Sequence, residues 1–448
     1  MKLAIQRRSN MTPQQVMLIG FAVVILIGTL LLLLPISSAT KENISWINAL
    51  FTATSAVSLT GLTVIDINNN FSTFGQTIIL LLIQLGGLGF MMFGVMFSLL
   101  LGRQITLKDR LLIQEATKAF SIQGMVKLAM HIILITFILE IIVAVILAVH
   151  WSAIYNWKLA IYQAVFHSIS AFNNSGMSLF SNSLRAYLGN PLVNICITSL
   201  SLIGGIGFTV LLDIYHNRRW KKLSLHSKLV LLTSGILLLV GFIIILSLET
   251  YNPATLGQLT WGKRIWAAWF QTVSPRSSGF YTITTSTLLP STLLLMILLM
   301  FIGSGPGSTG GGIKLSTFSV VVMAIVNLFK GNKDVNILKR RLNSQLVTNA
   351  IAIAILAVSI IFLITFCLIV SENNIHQPAM AIFFEVVSAF GTAGLSMGIT
   401  PMLSDLGKCL LVVTMFIGKI GPLTIVFALA AGTMEKRIRY PEDRVLIG

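Results

Sequence analysis

The sequence predicts an all-α integral membrane protein: four membrane–pore helix–membrane repeats around a central pore of pseudo-fourfold symmetry. Three observations carry this expectation. The chain is 55% hydrophobic and only 10% charged over 448 residues, and its apolar residues gather in runs of about 20, enough to cross a hydrocarbon core of roughly 30 Å. The runs pair up, and each pair encloses a short half-apolar stretch that ends in a glycine loop. The basic residues cluster between pairs and at both termini.

In chain order, the first repeat is expected over 1–115, with spans 14–36 and 74–101 around FTATSAVSLTGL (Phe51–Leu62). No small-residue cleavage site follows a short apolar core in the first run, so it reads as a retained helix and not a signal peptide. The second repeat, 116–222, has spans 128–150 and 189–212 around FHSISAFNNSGM (Phe166–Met177). The third, 223–342, has spans 227–248 and 290–328 around FQTVSPRSSGF (Phe270–Phe280), its second span interrupted over 303–314. The fourth, 343–434, has spans 348–371 and 405–431 around FEVVSAFGTAGL (Phe384–Leu395), followed by a tail, 435–448.

The four stretches align. Each begins with Phe, places Ser four residues later (Ser55, Ser170, Ser274, Ser388) and ends in a glycine followed by an apolar residue. The third copy is one residue shorter. The second spans repeat as well, in QLGGLGF (Gln84–Phe90), LIGGIGF (Leu202–Phe208), FIGSGPG (Phe301–Gly307) and FIGKIGP (Phe416–Pro422). Two motifs recurring in one order define an internal repeat. Non-helical backbone is tolerated at membrane depth only where protein buries it or a watery cavity borders it. The loops are therefore expected to converge on an axis, behind half-helices at about 45–57, 159–172, 262–274 and 378–390.

The formal net charge is +17, but its distribution does not read as a nucleic-acid surface. The clusters are Lys2/Arg7/Arg8, Arg103/Lys108/Arg110, Arg218/Arg219/Lys221/Lys222, Lys330/Lys333/Lys339/Arg340/Arg341 and Lys436/Arg437/Arg439. The positive-inside rule puts all of them, and both termini, in the cytoplasm of a multi-pass cell-membrane protein, facing anionic lipid or an acidic protein. Cys196, Cys367 and Cys409 share no close spacing, and the histidines form no HExxH or paired-ligand pattern, so neither a disulfide framework nor a metal site is expected.

The loops carry the chemistry. A dehydrated cation needs several oxygen ligands, and rings of backbone carbonyls supply them. Glycine reaches backbone angles that a β-carbon penalises, which lets carbonyls aim at the axis. The candidate filter is Ser58-Leu59-Thr60-Gly61, Asn173-Asn174-Ser175-Gly176, Ser277-Ser278-Gly279 and Gly391-Thr392-Ala393-Gly394. The half-helices point their partially negative C-terminal ends inward. None of these residues is a carboxylate, which favours a monovalent cation over a divalent one. Arg276, just before the third filter segment, is expected to brace its loop, since a cation facing the ion would oppose conduction.

These residues resemble the KtrB-type membrane subunits of the Ktr/Trk/HKT potassium-transport superfamily. The resemblance covers nearly the whole chain and rests on the four glycine loops, SAFNNSG (Ser170–Gly176), PRSSGF (Pro275–Phe280), SAFGTAGL (Ser388–Leu395) and GPLT (Gly421–Thr424). It implies potassium selectivity from four filter glycines, uptake often stimulated by sodium, a homodimer with one pore per chain, and a separate cytosolic KtrA/KtrC-type regulatory ring that binds nucleotide. No cofactor is implied in this chain itself; K⁺ is the transported ion and Na⁺ an effector. No extra hydrophobic pair precedes the first repeat, which fits the Ktr branch. A serine at the first filter glycine is associated in the family with sodium permeation, and Gly61 stands there instead. The tail RYPEDRVLIG (Arg439–Gly448) is a candidate for the dimer contact.

GSGPGSTGGGIK (Gly303–Lys314) cannot hold a stable helix, since each Gly costs about 1 kcal/mol and an interior Pro about 3. GPGSTG (Gly305–Gly310) matches GxGxxG without a βαβ unit, and GSTGGGIK (Gly307–Lys314) is one residue too long for a P-loop. Gly303, Ser304, Gly305, Pro306, Gly307, Ser308, Thr309, Gly310, Gly311 and Gly312 read instead as a mobile intramembrane gate, with a cavity separating it from the filter. Lys419 is a costly intramembrane cation, placed to hydrogen-bond carbonyls near Gly305–Gly310 and to repel cations in a closed pore. It stands where the resembled family commonly has arginine. A proton-coupled carrier would need a repeating membrane carboxylate, and Glu140, Glu385 and Asp213 do not repeat. No Ser-His pairing or metal cluster supports an intramembrane enzyme.

Overall fold

A computed structural model describes residues 12–40, 43–89, 110–112, 114–115, 125–332, 334–372 and 378–430. The terminal basic clusters, Arg103, Lys108, Lys333, the later half of the 74–101 span and the 435–448 tail lie outside the described residues.

The four first spans are long helices: α1 Pro13–Leu32, α4 Met125–Ser152, α8 Leu225–Glu249 and α12 Ser344–Ser371. The half-helices are α2 Trp46–Ser58, α5 Trp157–Phe172, α9 Trp261–Val273 and α13 Ala379–Gly391. Three of them open with tryptophans that are all more than half exposed, as expected for anchors at a membrane–water interface. The Phe that opens each aligned stretch is buried in every copy: Phe51, Phe166, Phe270 and Phe384.

The second spans depart from expectation. None is a continuous membrane-length helix among the described residues. They are α3 Thr73–Leu88, α6 Pro191–Ile206 with α7 Phe208–His216, α10 Pro290–Phe301 with α11 Leu315–Phe329, and α14 Asp405–Ile420 with α15 Pro422–Ala430. Only the third break was expected. The α6–α7 pair bends by 93° at Gly207. The cause is the glycine that closes each repeated motif: Gly89, Gly207 and Gly421 all take positive φ, a conformation that ends a right-handed helix and that glycine adopts without a β-carbon penalty.

The ring closes through the half-helices. Each packs on its own first span, and α2 also packs on α14, α5 on α3, α9 on α6 and α13 on α10. Each half-helix therefore leans on the second span of the preceding repeat, and the first leans on the fourth. The C-terminal end of each first span is tied to the start of its own second span. Ser72 N donates to Ser37 O at 2.9 Å, Asn190 Nδ2 lies 2.8 Å from His150 Nε2, Leu289 N donates to Glu249 Oε1 at 2.9 Å and Ser404 N donates to Glu372 Oε1 at 3.2 Å. At the opposite end of the bundle, a two-residue hairpin, Asn336–Ile337 with Arg340–Arg341, joins α11 to α12.

Candidate functional site

The four loops share one backbone. The residue two positions before each aligned glycine is left-handed: Leu59 (φ 61°), Asn174 (φ 57°), Ser277 (φ 66°) and Thr392 (φ 48°). The glycines themselves are also positive, at 83°, 72°, 75° and 74° for Gly61, Gly176, Gly279 and Gly394. In three loops the left-handed residue caps its helix in a Schellman turn: Thr60 N donates to Ser55 O, Ser175 N to Ser170 O and Ala393 N to Ser388 O, each at 2.9 Å. The shorter third copy closes one residue tighter, Ser278 N donating to Ser274 O at 3.0 Å. The missing residue is absorbed at the helix end, and the loop beyond it keeps the common shape.

The glycines meet. A β-carbon built on Gly61 would overlap Ser175 O, and one on Gly394 would overlap Thr60 O. On Gly176 it would lie 2.8 Å from Ser278 O, and on Gly279 3.2 Å from Ala393 O. Each glycine thus faces the carbonyl preceding the next repeat's glycine, in the cyclic order one, two, three, four, one. Only glycine fits at any of the four positions. Above them opens a cavity of about 280 Å³, bordered by all four glycines. Its rim carries hydroxyls, including Ser178, Thr285 and Ser396, and one carboxylate, Asp66. Asp66 lies outside the aligned loops, where no repeat marks it; it caps the helical turn Ile67–Asn70 by accepting from Asn69 N at 2.9 Å.

The interrupted segment lies against the other side of the loops. Ile302 and Ile313 form a bridge that closes its neck. Gly305 N donates to Gly205 O at 2.8 Å, and Phe208 N donates to Gly307 O at 3.0 Å. Pro306 O fills the space where Gly207 lacks a side chain. Two contacts reach the loops directly: Asn174 Nδ2 donates to Thr309 Oγ1 at 2.8 Å, and Gly311 N donates to Thr392 Oγ1 at 2.8 Å. Both partners are left-handed residues of the ring. The expected cavity between segment and loops is therefore absent at Asn174 and Thr392, and also at Ser277, since glycines at 310 and 311 let the backbone close onto Ser277 and Thr392. Lys419 Nζ donates to Thr309 O at 2.6 Å. Lys314 Nζ donates to Gly310 O at 2.5 Å, a second tether that sequence reasoning assigned only to the segment's boundary.

Over residues 4–436 the chain matches the TrkH cation transport protein family. The chain belongs to the TrkH family. Across 98% of its length it is 45% identical to the Ktr system potassium uptake protein B of Bacillus subtilis, covering 97% of that protein. Over 98% of each chain it is 35% identical to the potassium/sodium uptake protein NtpJ of Enterococcus hirae. In fold it is similar to the crystal structure of the potassium transporter TrkH from Vibrio parahaemolyticus, with a TM-score of 0.73 over 94% of this chain and 86% of that one at 20% identity. This TrkH-family chain is a multi-pass membrane transporter, not an enzyme.

Three charged residues of this TrkH-family chain outside the ring, Arg276, Glu385 and Asp213, each hydrogen-bond to hydroxyl side chains. Arg276 Nη1 donates to Ser234 Oγ on α8 at 2.7 Å, a bond that ties the third loop to its first span. Glu385 accepts from Ser396 Oγ at 2.9 Å and from Thr400. Asp213 accepts from Ser224 and Ser227 at the α7–α8 turn. Glu140, Glu385 and Asp213 thus sit in three separate hydrogen-bond groups and form no relay with one another.

Proposed function

We propose that this chain is the potassium-translocating, channel-like subunit of a Ktr-type uptake system. One observation carries the reading: four glycines in a closed ring, each against the carbonyl oxygen of the next repeat. Such a ring replaces the hydration shell of a cation without a charged side chain, which suits a monovalent ion. The similarity to a Ktr system potassium uptake protein supports potassium as that ion. The ring segments are Ser58–Gly61, Asn173–Gly176, Ser277–Gly279 and Gly391–Gly394, within repeats divided as 1–115, 116–222, 223–342 and 343–434.

In the same reading Gly303–Gly312 is the gate, latched by Lys419 and Lys314 through carbonyls of the segment itself. Opening frees Asn174 and Thr392 from it. The chain works as a homodimer with both termini in the cytoplasm, is stimulated by Na⁺, and answers to a cytosolic nucleotide-binding ring of KtrA/KtrC type. The test is K⁺ flux into liposomes holding the purified chain, measured with and without a proton gradient. Flux driven by the K⁺ gradient alone is expected. Flux that requires the proton gradient refutes the channel-like reading in favour of a carrier.

A further inference from the structure

Behind the second loop lies a closed triangle of buried side chains that none of the chemistry above uses. Asn173 Nδ2 donates to Gln84 Oε1 at 2.7 Å, and its two hydrogens are shared between that oxygen, Glu140 Oε1 at 3.1 Å and the Ile169 carbonyl one helical turn back at 2.8 Å. Gln84 Nε2 donates to Glu140 Oε2 at 3.2 Å. All three residues are buried. They come from three elements: Gln84 from α3 of the first repeat, Glu140 from α4, and Asn173 from the cap of α5. The geometry is tight, since a β-carbon on Gly87 would overlap Asn173 Oδ1. Ser168 Oγ donates to the Glu140 carbonyl at 2.6 Å and fixes α5 to α4 at the same level.

A carboxylate in the membrane interior is costly and is retained where its interactions are specific. Here both oxygens accept from amides, and one of those amides begins the second loop. We propose that Glu140 and Gln84 are positioning residues that set the loop Asn173–Gly176, and through it the discrimination between K⁺ and Na⁺. The inference rests on the ring reading above. Its physical basis is that Asn173 is three residues before Gly176. Any shift of its amide moves the Ser175 carbonyl, which faces Gly61. A charge acting only at a distance attracts K⁺ and Na⁺ alike and changes both fluxes by one factor. A displaced carbonyl changes their ratio.

The test is E140Q, which keeps shape but puts an NH₂ where one of two donors needs an acceptor. The measurement is the K⁺-to-Na⁺ flux ratio in liposomes, with membrane abundance and thermal stability followed alongside. The ratio is expected to fall about tenfold, the scale of one lost buried hydrogen bond. The exchanged pair Q84E with E140Q rebuilds every donor and acceptor in mirror order, and is expected to restore the ratio. An unchanged ratio in E140Q overturns the proposal. So does an exchanged pair that recovers abundance and stability while the ratio stays low, and this arm decides the matter if E140Q alone does not fold. Gly61→Ser separates the two levels: if it too leaves the ratio unchanged, the ring reading fails, whereas a changed ratio there with none in E140Q sinks only this inference.

Discussion

The loops of the second and third repeats are held where those of the first and fourth are not. Three residues before the glycine, the second and third carry long polar side chains that reach outward: Asn173 to Gln84 and Glu140, and Arg276 to Ser234. The first and fourth carry Ser58, which turns to Thr60 within its own loop at 2.7 Å, and Gly391, which has no side chain. The aligned serines divide the same way. Ser170 Oγ donates to Met177 O at 2.7 Å and Ser274 Oγ donates to Phe280 O, while the hydroxyls of Ser55 and Ser388 have no partner among the described residues. The fourfold symmetry is a property of the backbone. The side chains anchor one adjacent pair of quadrants outward to the spans; the other pair is held by packing, by the intramembrane segment and, in the fourth loop, by Ser277 Oγ donating to Gly391 O at 3.1 Å and by Glu385 accepting from Ser396.

The largest effect that tests this division comes from the glycines. Gly176→Ser places a β-carbon against the backbone of Gly279, and Gly279→Ser one against that of Gly176, both in anchored loops, so neither side can yield. K⁺ uptake is expected to fall about a hundredfold, from overpacking on a left-handed backbone. Gly61→Ser and Gly394→Ser press on a carbonyl from a loop with fewer anchors, or from one that is less anchored itself. These are expected to keep flux and lose discrimination against Na⁺ by about tenfold, as carbonyls move off the axis. Uptake and ion ratio in a transport-deficient cell, with protein level matched, decide it. Four equal phenotypes would erase the division.

The intramembrane segment comes next. Deleting Gly303–Gly312 is expected to raise K⁺ flux in liposomes by about tenfold, with Lys419→Ala giving a smaller rise in the same direction. The combined variant should match the deletion alone, because residues in one network couple. A gate separated from the filter by a cavity would leave the ion ratio fixed. The contacts to Asn174 and Thr392 now predict a lower ratio on deletion, and a larger share of the loss through the fourth loop, where Gly391 supplies no outward anchor. A deletion that folds but conducts no better would make the segment a structural kink.

What was legible in the sequence was what repeats. Phe51, Phe166, Phe270 and Phe384 and the aligned glycines announced half-helix and loop in every copy, and the half-helix bounds agree within about two residues, the usual uncertainty of helix ends. The breaks at Gly207 and Gly421 were harder to see, because a single glycine in an apolar run is compatible with a continuous helix. It took the φ that neighbouring packing imposes to separate the two. The anchors were least legible. Gln84, Glu140 and Ser234 do not repeat, and lie far in sequence from the loops they hold. The touch between Thr309 and Asn174 spans 135 positions, a contact that no local pattern encodes.

A smaller effect is expected at the third loop's anchor. Arg276→Gln shortens the reach to Ser234 and removes a buried charge together with its 2.7 Å hydrogen bond. Leaving Ser234 Oγ without its donor should lower stability by about 1 kcal/mol, the typical net value of one hydrogen bond. The K⁺-to-Na⁺ ratio should fall less than in E140Q, because the bonds lost here all go to one residue, Ser234, and an amide network is lost there. Thermal unfolding in detergent and the flux ratio together check this. A ratio change exceeding that of E140Q would mean that the third loop, not the second, sets the width of the ring.

The finest test lies in the four aligned serines, where one chemical change is made at four symmetric places. Ser170→Ala removes a donor from the Met177 carbonyl, and Ser274→Ala removes one from Phe280. Each leaves a buried carbonyl short of a partner, and within a membrane bundle such bonds average about 0.6 kcal/mol and reach about 1.7. Ser55→Ala and Ser388→Ala remove hydroxyls that are buried and without partners, so an unmet desolvation cost disappears and stability should hold or rise slightly. Each variant loses one oxygen at an aligned position of the repeat, so detergent effects largely cancel in the comparison. Thermal unfolding of the four in one detergent should therefore split them two against two, with Ser170→Ala and Ser274→Ala lower. If all four fall together, the Ser55 and Ser388 hydroxyls bond in the membrane as their counterparts do, and the ring is anchored equally on all sides.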